Sequence, residues 1–201
     1  ISLENYNTVT IDNNAFTPLA GSTTYTHITL NTKEFSSSSG FYDPNVDLTL
    51  TNNEFYGSGT LGGKALAFYN NDNNTLVTPG PAPVFGTFTI GTAGNENEFA
   101  STIGTFMYFD NNTGLVTPNN TQSACWPTDM NAQNNKFDVG SGLQLPSAMS
   151  FAGRTTLETK LTHNPDLACL GYITYYYPVH NLTQNTFFMT IQSAIDAAGA
   201  N

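Results

Sequence analysis

Apolar and polar residues alternate along much of this chain, beginning with its first eleven residues, ISLENYNTVTI. The odd positions carry Ile1, Leu3, Val9 and Ile11, whereas the even positions are polar or amphipathic. Alternation with a period of two residues is typical of a strand that buries one face. The pattern therefore predicts an extended N-terminal strand with one apolar face.

The same alternation recurs in segments that are separated by clusters of Gly, Pro and Asn, while helical periodicity is almost absent. Many short strands at this spacing predict an all-β fold of the β-sandwich or jelly-roll type. We expect residues 1–12 to form the N-terminal strand and residues 13–201 to form a single β-sandwich domain. The alternating segments are residues 23–30, 46–51, 64–69, 84–90, 101–109, 155–161 and 172–179.

Two further patterns refine this prediction. Residues 67–79 align without gaps on residues 106–118 and share the run Leu-Val-Thr-Pro, which indicates two similar hairpins or convergent turn chemistry. The C-terminal residues 186–191 are aromatic and β-branched, which favours a strand through Ile191 with one helical turn after it.

The low charge of the chain restricts its partners. Only 10% of the 201 residues are charged, the net charge is −10, and the five Lys and Arg residues are scattered. Nucleic-acid binding requires clustered cations, and anionic membrane surfaces also attract them. No apolar run approaches the ~20 residues of a membrane span. We therefore predict neither a nucleic-acid partner nor a membrane span.

The two cysteines and the first residue suggest a processed, secreted chain. Cys125 and Cys169 are expected to form a disulfide that closes a loop of about 44 residues, worth about 3–4 kcal/mol. Two buried free thiols are the alternative. The sequence starts at Ile1 without a methionine, which we interpret as processing or trimming.

Four Asn-x-Ser/Thr sequons offer sites for N-linked glycans, and most fall in expected hairpin tips. The Asn, Ser and Thr content alone would produce about as many by chance, so their placement is more informative than their number. The sequons lie at Asn73, Asn111, Asn119 and Asn181.

Catalytic patterns are weak. The three histidines are isolated, and no nucleophile elbow, P-loop or dinucleotide-binding motif occurs. Glu96 and Glu98 could face one side of a strand as glycosidase acids, but the sequence places no second acid opposite them. We therefore predict a protein that is not an enzyme and has no cofactor.

One spacing resembles a calcium loop. Asp43, Asn45, Asp47 and Glu54 occupy the first, third, fifth and twelfth positions of an EF-hand loop. The sixth position, which should be glycine, is Leu48, and residues 46–51 alternate like a strand. We therefore interpret the segment as an Asx-rich turn and predict no metal site.

Because no catalytic pattern is convincing, the functional interpretation rests on the expected N-terminal strand. The N-terminal strand would reach about 36 Å when extended, enough to complete the sheet of a neighbouring copy. In this donor-strand hypothesis, Ile1, Leu3, Val9 and Ile11 fill the neighbour's pockets, and repeated contacts build a fibre. The alternative is that residues 1–11 are the first strand of their own domain.

The terminal strand, the Asn- and Thr-rich body of low charge, and the sequons resemble secreted prokaryotic filament subunits of the donor-strand type, such as archaeal threads. The resemblance implies a non-enzymatic, extracellular or cell-surface subunit of a filament, whose partner is itself and which carries glycans. One rival hypothesis is a viral capsid or spike jelly roll. Another is a carbohydrate-binding module that uses Tyr172, Tyr175, Tyr176 and Tyr177 as a stacking platform.

Overall fold

The computed structural model describes most of the chain up to residue 165 and four short segments beyond it. The described residues are 1–4, 8–31, 35–37, 40–42, 47–59, 62–69, 87–111, 130–165, 173–174, 179–181, 186–188 and 191–198. The structural statements below refer to these residues.

Short strands dominate the described chain. In order they are β1 (Ser2–Glu4), β2 (Thr8–Asp12), β3 (Ala15–Phe16), β4 (Thr24–Asn31), β5 (Phe35–Ser37), β6 (Gly40–Tyr42), β7 (Asp47–Thr51), β8 (Glu54–Phe55), β9 (Gly62–Tyr69), β10 (Phe88–Ile90), β11 (Asn97–Phe99) and β12 (Thr105–Asn111). They continue with β13 (Met130–Asn131), β14 (Asn135–Asp138), β15 (Leu143–Gln144), a 3₁₀ turn (Pro146–Ala148), α1 (Phe151–Lys160), β16 (Leu161–Pro165), β17 (Ile173–Thr174), β18 (Val179–Asn181), β19 (Thr186–Phe188) and α2 (Ile191–Ala198).

Three sheets of parallel strands form the body. The first sheet has the order β1-β4-β9-β12-β16, and the second has the order β2-β7-β10. The third sheet has the order β3-β8-β11-β14, with β15 added antiparallel at its end. Three two-stranded pairs complete the list: β13 with β17 in parallel, and β5 with β6 and β18 with β19 as antiparallel hairpins.

The chain visits these three sheets in a repeating order. Strands β2, β3 and β4 form one coil, β7, β8 and β9 form the next, and β10, β11 and β12 form the third. Each strand pairs in parallel with its counterpart in the next coil. Coils that stack in this way make a β-solenoid, in which each repeat contacts only its neighbours.

Apolar side chains from all three sheets fill the interior of the coils. In the first sheet, Ile28, Leu66, Met107 and Leu161 occupy one register row and are all buried. In the second sheet, Ile11, Leu50 and Ile90 form a comparable row. Rows of matched apolar residues arise because parallel pairing in register places equivalent positions of successive coils side by side.

The prediction of a mostly-β fold is confirmed, but a sandwich or jelly roll is not. Those folds are built from antiparallel strands, whereas the three sheets here are parallel apart from β15. The expected N-terminal strand is divided between β1 and β2, which lie in different sheets.

Two local predictions need correction. Residues 155–161, expected as a strand, lie mostly in α1, where the Ser150 hydroxyl accepts a hydrogen bond from the Gly153 N–H and caps the helix. Leu157 and Leu161 are four residues apart, so they fit both a strand and a helix. At the C-terminus, α2 runs for eight residues instead of a single turn.

In the described part of the chain, neither helix has the length and apolar character that crossing a membrane would require.

Candidate functional site

A ladder of asparagine side chains joins the coils at the turn between the second and third sheets. Asn53, Asn97 and Asn135 are fully buried; the Asn53 side chain donates to that of Asn97, and the Asn97 side chain donates to that of Asn135. Each also donates a hydrogen bond to a main-chain carbonyl of the preceding coil: to Ile11, Leu50 and Ile90 in turn. Buried amides are tolerated in this position because the ladder satisfies them.

A stack of phenylalanine rings follows the ladder in the third sheet. Phe16, Phe55, Phe99 and Phe137 lie in successive coils, with ring centroids 4.9, 4.9 and 5.0 Å apart. The rings are nearly parallel, and the last three are fully buried. The ladder and the stack together fix the register between coils, because a slip of one residue would break both.

Both arrays end at the first coil. Phe16 packs on Phe55 on one side only and is half-buried. Asn14 bonds to the Asn53 side chain and turns its own amide back onto the Asp12 carbonyl, 2.8 Å away. Among the described residues, β1, β2 and β3 each have a strand on one side only. We call the free side of these three strands the open edge.

The main-chain groups of β2 divide between the two sides of the strand. The Asn13 N–H donates to the Thr51 carbonyl at 3.1 Å, across the pair β2 and β7. In a parallel ladder, alternate residues direct their N–H and C=O groups to opposite neighbours. The main-chain N–H and C=O groups of Val9 and Ile11 are therefore directed to β7. Those of Thr8, Thr10 and Asp12 are directed to the open edge.

The four predicted interface residues lie within or beside this first coil. Leu3 and Ile11 are buried in the core of their own chain, Val9 is half-buried, and Ile1 is 57% exposed. Residues 2–4 pair with β4, and residues 8–12 pair with β7. In the single chain the segment thus completes its own sheets. Transfer of the segment to a neighbouring copy remains a prediction about an assembly.

The far end of the solenoid is built differently. The third sheet ends there in β15, which pairs antiparallel with β14. Helix α1 contacts β12 and β16, and the 3₁₀ turn contacts β14. Among the described residues β10, β15 and β16 each have a strand on one side only, as β1, β2 and β3 do, but β15 runs against the direction of its sheet. The two ends of the described body are therefore unlike.

A row of charged side chains runs along the outer face of the third sheet. Glu54, Glu98 and Lys136 lie in register on adjacent strands, so the structure supplies the opposing acid that the sequence did not. The Lys136 Nζ lies 3.1 Å from a Glu98 oxygen and 3.8 Å from a Glu96 oxygen. The Tyr56 hydroxyl donates to the Glu54 carboxylate.

These contacts set the direction of several pKa shifts. Hydrogen bonding to Glu54 raises the pKa of the Tyr56 hydroxyl. The hydrogen bond to Glu98 raises the pKa of Lys136. The Gly94 main-chain N–H lowers the pKa of Glu96. Each shift favours the protonation state already present near pH 7.

A shallow pocket of about 100 Å³ lies beside the charged row, where small Ala100 leaves a gap between larger neighbours. It is lined by Glu54, Phe55, Tyr56, Glu98, Ala100, Asp138 and Leu143. Within the described part of the chain, no group of three or more His, Cys, Asp or Glu side chains is arranged to hold a metal ion. Asp47 and Glu54 of the calcium-like spacing lie in β7 and β8.

Several predicted residues cannot be placed. The proposed disulfide partners, two sequons, two members of the calcium-like spacing and the tyrosine platform lie outside the described residues: Cys125, Cys169, Asn73, Asn119, Asp43, Asn45, Tyr172, Tyr175, Tyr176 and Tyr177. The other two sequon residues, Asn111 and Asn181, end strands β12 and β18.

The ladder and the stack were missed at the level of sequence, although a signal exists. Four Asn-x-Phe triplets lie at this corner, at residues 14–16, 53–55, 97–99 and 135–137, one in each successive coil, and a fifth occurs in the sequence at residues 185–187. The ladder asparagines are 39, 44 and 38 residues apart. Since these separations differ, a search for a fixed period does not detect the repeat.

No protein-family model matches this chain, and neither a curated protein nor a solved structure is significantly similar to it.

Proposed function

We propose that this chain is a non-enzymatic structural protein, and that it joins to another copy of itself through the open edge of its first coil. The observation that carries the proposal is the set of main-chain N–H and C=O groups on β2 that point away from their own sheet, at Thr8, Thr10 and Asp12. Of these, the Asp12 carbonyl already accepts a hydrogen bond from the Asn14 side chain. Unpaired strand edges are templates for adding another strand.

The edge also lacks the usual protection against such pairing. Natural edge strands are often guarded by charged side chains, lysine above all, or by proline or a bulge. The one charged side chain of β2, Asp12, is already bound by Thr51 and Asn52 of its own chain. Strand β2 (TVTID) has neither lysine nor proline, and it pairs with β7 over all five residues without a bulge. The chain has only five Lys and Arg residues in total.

The charged row on the third sheet supports a structural role over a catalytic one. Each carboxylate already has a partner, since Lys136 pairs with Glu98 and Glu96 and the Tyr56 hydroxyl donates to Glu54. A glycosidase instead requires one acid that stays protonated and a second that is free to act. We place the assembly outside the cell or at its surface, in keeping with the low charge and the sequons.

A proline scan of β2 tests this function. Thr10→Pro removes an N–H from the open edge, whereas Thr10→Ala keeps it and serves as the matched control. Sedimentation velocity over a concentration series should show the wild type and Thr10→Ala associating and Thr10→Pro remaining monomeric. Far-UV circular dichroism should be the same for all three proteins. A wild type that is monomeric at every concentration would overturn the proposal.

A second variant checks the assignment of the two sides. Val9→Pro removes an N–H that faces β7, so it should lower the thermal stability of the monomer, whereas Thr10→Pro should not. In the donor-strand alternative, β2 pairs on both sides within a neighbouring copy. Both proline variants would then block assembly, and both would leave the stability of the free domain unchanged.

A further inference from the structure

We infer that two copies meet through β2 in an antiparallel pair, with Thr10 on a twofold axis. This inference rests on the proposed self-association and specifies its partner surface and symmetry. The axis lies perpendicular to the solenoid and passes through the second sheet. This axis places β2 of one copy beside β2 of the other. It also brings the first sheet of each copy next to the third sheet of the other copy, so that β1 of one faces β3 of the other.

The main-chain pattern of β2 is symmetric about Thr10. The residues that direct their N–H and C=O groups to the open edge are Thr8, Thr10 and Asp12. With Thr10 opposite its own copy, Thr8 lies opposite Asp12 of the partner. These positions then form the hydrogen-bonded pairs of an antiparallel ladder. The Asp12 carbonyl, which already accepts from the Asn14 side chain at 2.8 Å, would accept the Thr8 N–H of the partner with its second lone pair.

The outer side chains also match in this register. Within the chain, Thr10 pairs in register with Thr49, and Thr49 with Thr89, which forms a row of threonines across the second sheet. A twofold axis at Thr10 continues this row into the second copy, and Thr–Thr pairs are favourable cross-strand neighbours.

The acidic residue is also accommodated. The Thr51 hydroxyl already donates to the Asp12 carboxylate at 2.7 Å within the chain. In the proposed pair, Thr8 of the other copy offers Asp12 a second hydroxyl from the open side. The two Asp12 side chains do not face each other, so the register avoids a like-charge contact.

The inner side chains complete the fit. Val9 is half-buried and Ile11 is buried, and both point into the core. The same register places Val9 of one copy beside Ile11 of the other, so the apolar row of the second sheet continues across the axis. The half-exposed Val9 thereby becomes covered.

The unlike ends of the solenoid favour this arrangement over head-to-tail growth. The far end of the third sheet is the antiparallel strand β15, and α1 contacts β12 and β16. A head-to-tail contact that continued the coils would pair parallel strands in all three sheets, and β15 does not offer a parallel partner in the third sheet. In an isologous contact both copies use the same surface, here the open edge, and the result is a closed dimer. A longer fibre would then require a second, different interface.

Photo-crosslinking tests the symmetry. A benzophenone amino acid replaces Thr10 in the full 201-residue chain, and mass spectrometry maps the cross-linked peptides of the dimer. We expect intermolecular cross-links within residues 1–16 of the partner. Cross-links to any other part of the partner would overturn the twofold arrangement but leave self-association intact. Failure to associate, tested with wild-type protein, would instead overturn the proposed function.

A charge series at Thr8 tests the register. Thr8→Asp places a carboxylate opposite Asp12 of the partner and should raise the dimer dissociation constant about 3- to 10-fold. Thr8→Lys places an ammonium there and should lower it by a similar factor. Thr162→Asp and Thr162→Lys, on exposed positions of β16 at the far end, should change it less than twofold. Equal effects of the two Thr8 variants would overturn the register.

Discussion

Asn53 and Asn97 are bound to each other twice: the Asn97 Oδ1 accepts a hydrogen bond from the Asn53 side-chain Nδ2 at 3.0 Å and another from the Asn53 main-chain N–H at 3.0 Å. One side chain thus satisfies both a neighbouring amide and a buried main-chain donor. Because the Asn97 Nδ2 also donates to the Leu50 carbonyl, this residue links the second and third coils through side chain and main chain together.

Asn97→Ala should destabilise the protein by about 2–4 kcal/mol, because it leaves the buried Asn53 main-chain N–H without its acceptor and the buried Asn135 Oδ1 without the Asn97 donor. The measurement is urea unfolding followed by circular dichroism. Asn95→Ala is the control, since Asn95 lies two residues away and is exposed; its effect should stay within about 0.5 kcal/mol. Equal losses for the two variants would contradict the role of the ladder.

Phe99→Ala should cost about 3–5 kcal/mol, because Phe99 is fully buried between Phe55 and Phe137. Phe16→Ala removes the end of the same stack, where the ring is half-buried and has one stacked neighbour. Its cost should be less than half as large. Thermal unfolding of the two variants gives the comparison. A similar drop in Tm for both would contradict the expectation that the end of the stack contributes less to stability than its middle.

Gly57→Ala and Gly153→Ala should shift stability in opposite directions. A methyl group at Gly57 would overlap the Thr102 carbonyl, so the coils would have to separate. A methyl group at Gly153 meets its nearest atoms at 3.5 Å and lies within α1, where alanine is favoured over glycine by about 0.5–1 kcal/mol. Differential scanning calorimetry should show a lower Tm for the first and a higher Tm for the second.

Stability should fall as the pH drops below about 6.5, in part because of His27. The ring is buried among Phe16, Tyr25 and Phe55, and its Nε2 lies 2.8 Å from the Tyr56 carbonyl. Burial lowers the pKa of His27. The unfolded chain therefore binds a proton at a higher pH than the folded chain, and stability is lost between the unfolded pKa, about 6.5, and the lower folded value.

His27→Gln removes this titration and keeps a donor for the Tyr56 carbonyl. The difference in unfolding free energy between pH 7.5 and pH 5.5 should be smaller for His27→Gln than for the wild type. An unchanged difference would assign the pH dependence to other groups.

The sequence was sufficient to locate several strands of the first and second sheets, but the short strands of the third sheet all lie outside the predicted segments, and the pairing was not predicted. Residues 23–30, 46–51 and 64–69 correspond closely to β4, β7 and β9, because period-two alternation reports a half-buried strand whatever its partner is. The same alternation occurs in parallel and antiparallel strands, so it does not predict the direction of pairing. The segments 67–79 and 106–118 begin in two neighbouring strands, β9 and β12, which pair in parallel with Ala67 beside Tyr108, two residues away from the position that the sequence alignment gives. The turns of the two predicted hairpins lie outside the described residues.

The open edge was partly anticipated. Alternation over the first eleven residues identified the segment and its apolar face, and Leu3 and Ile11 are indeed buried. What alternation cannot express is the division of this segment between β1 and β2, in two different sheets. The acid pair Glu54 and Glu98 was missed for a related reason, since residues 44 positions apart become neighbours only through the coil.

The unequal spacing of the four Asn-x-Phe triplets has a consequence for how this architecture changes. The triplets hold the coils together at one corner, and the distances between them vary by several residues without disturbing the ladder or the stack. Connecting segments can therefore be lengthened, shortened or replaced one at a time while the corner stays intact. A foreign peptide inserted between two triplets, away from the strands, should be carried on the flank of the solenoid as cargo, which makes the chain a candidate scaffold for surface display.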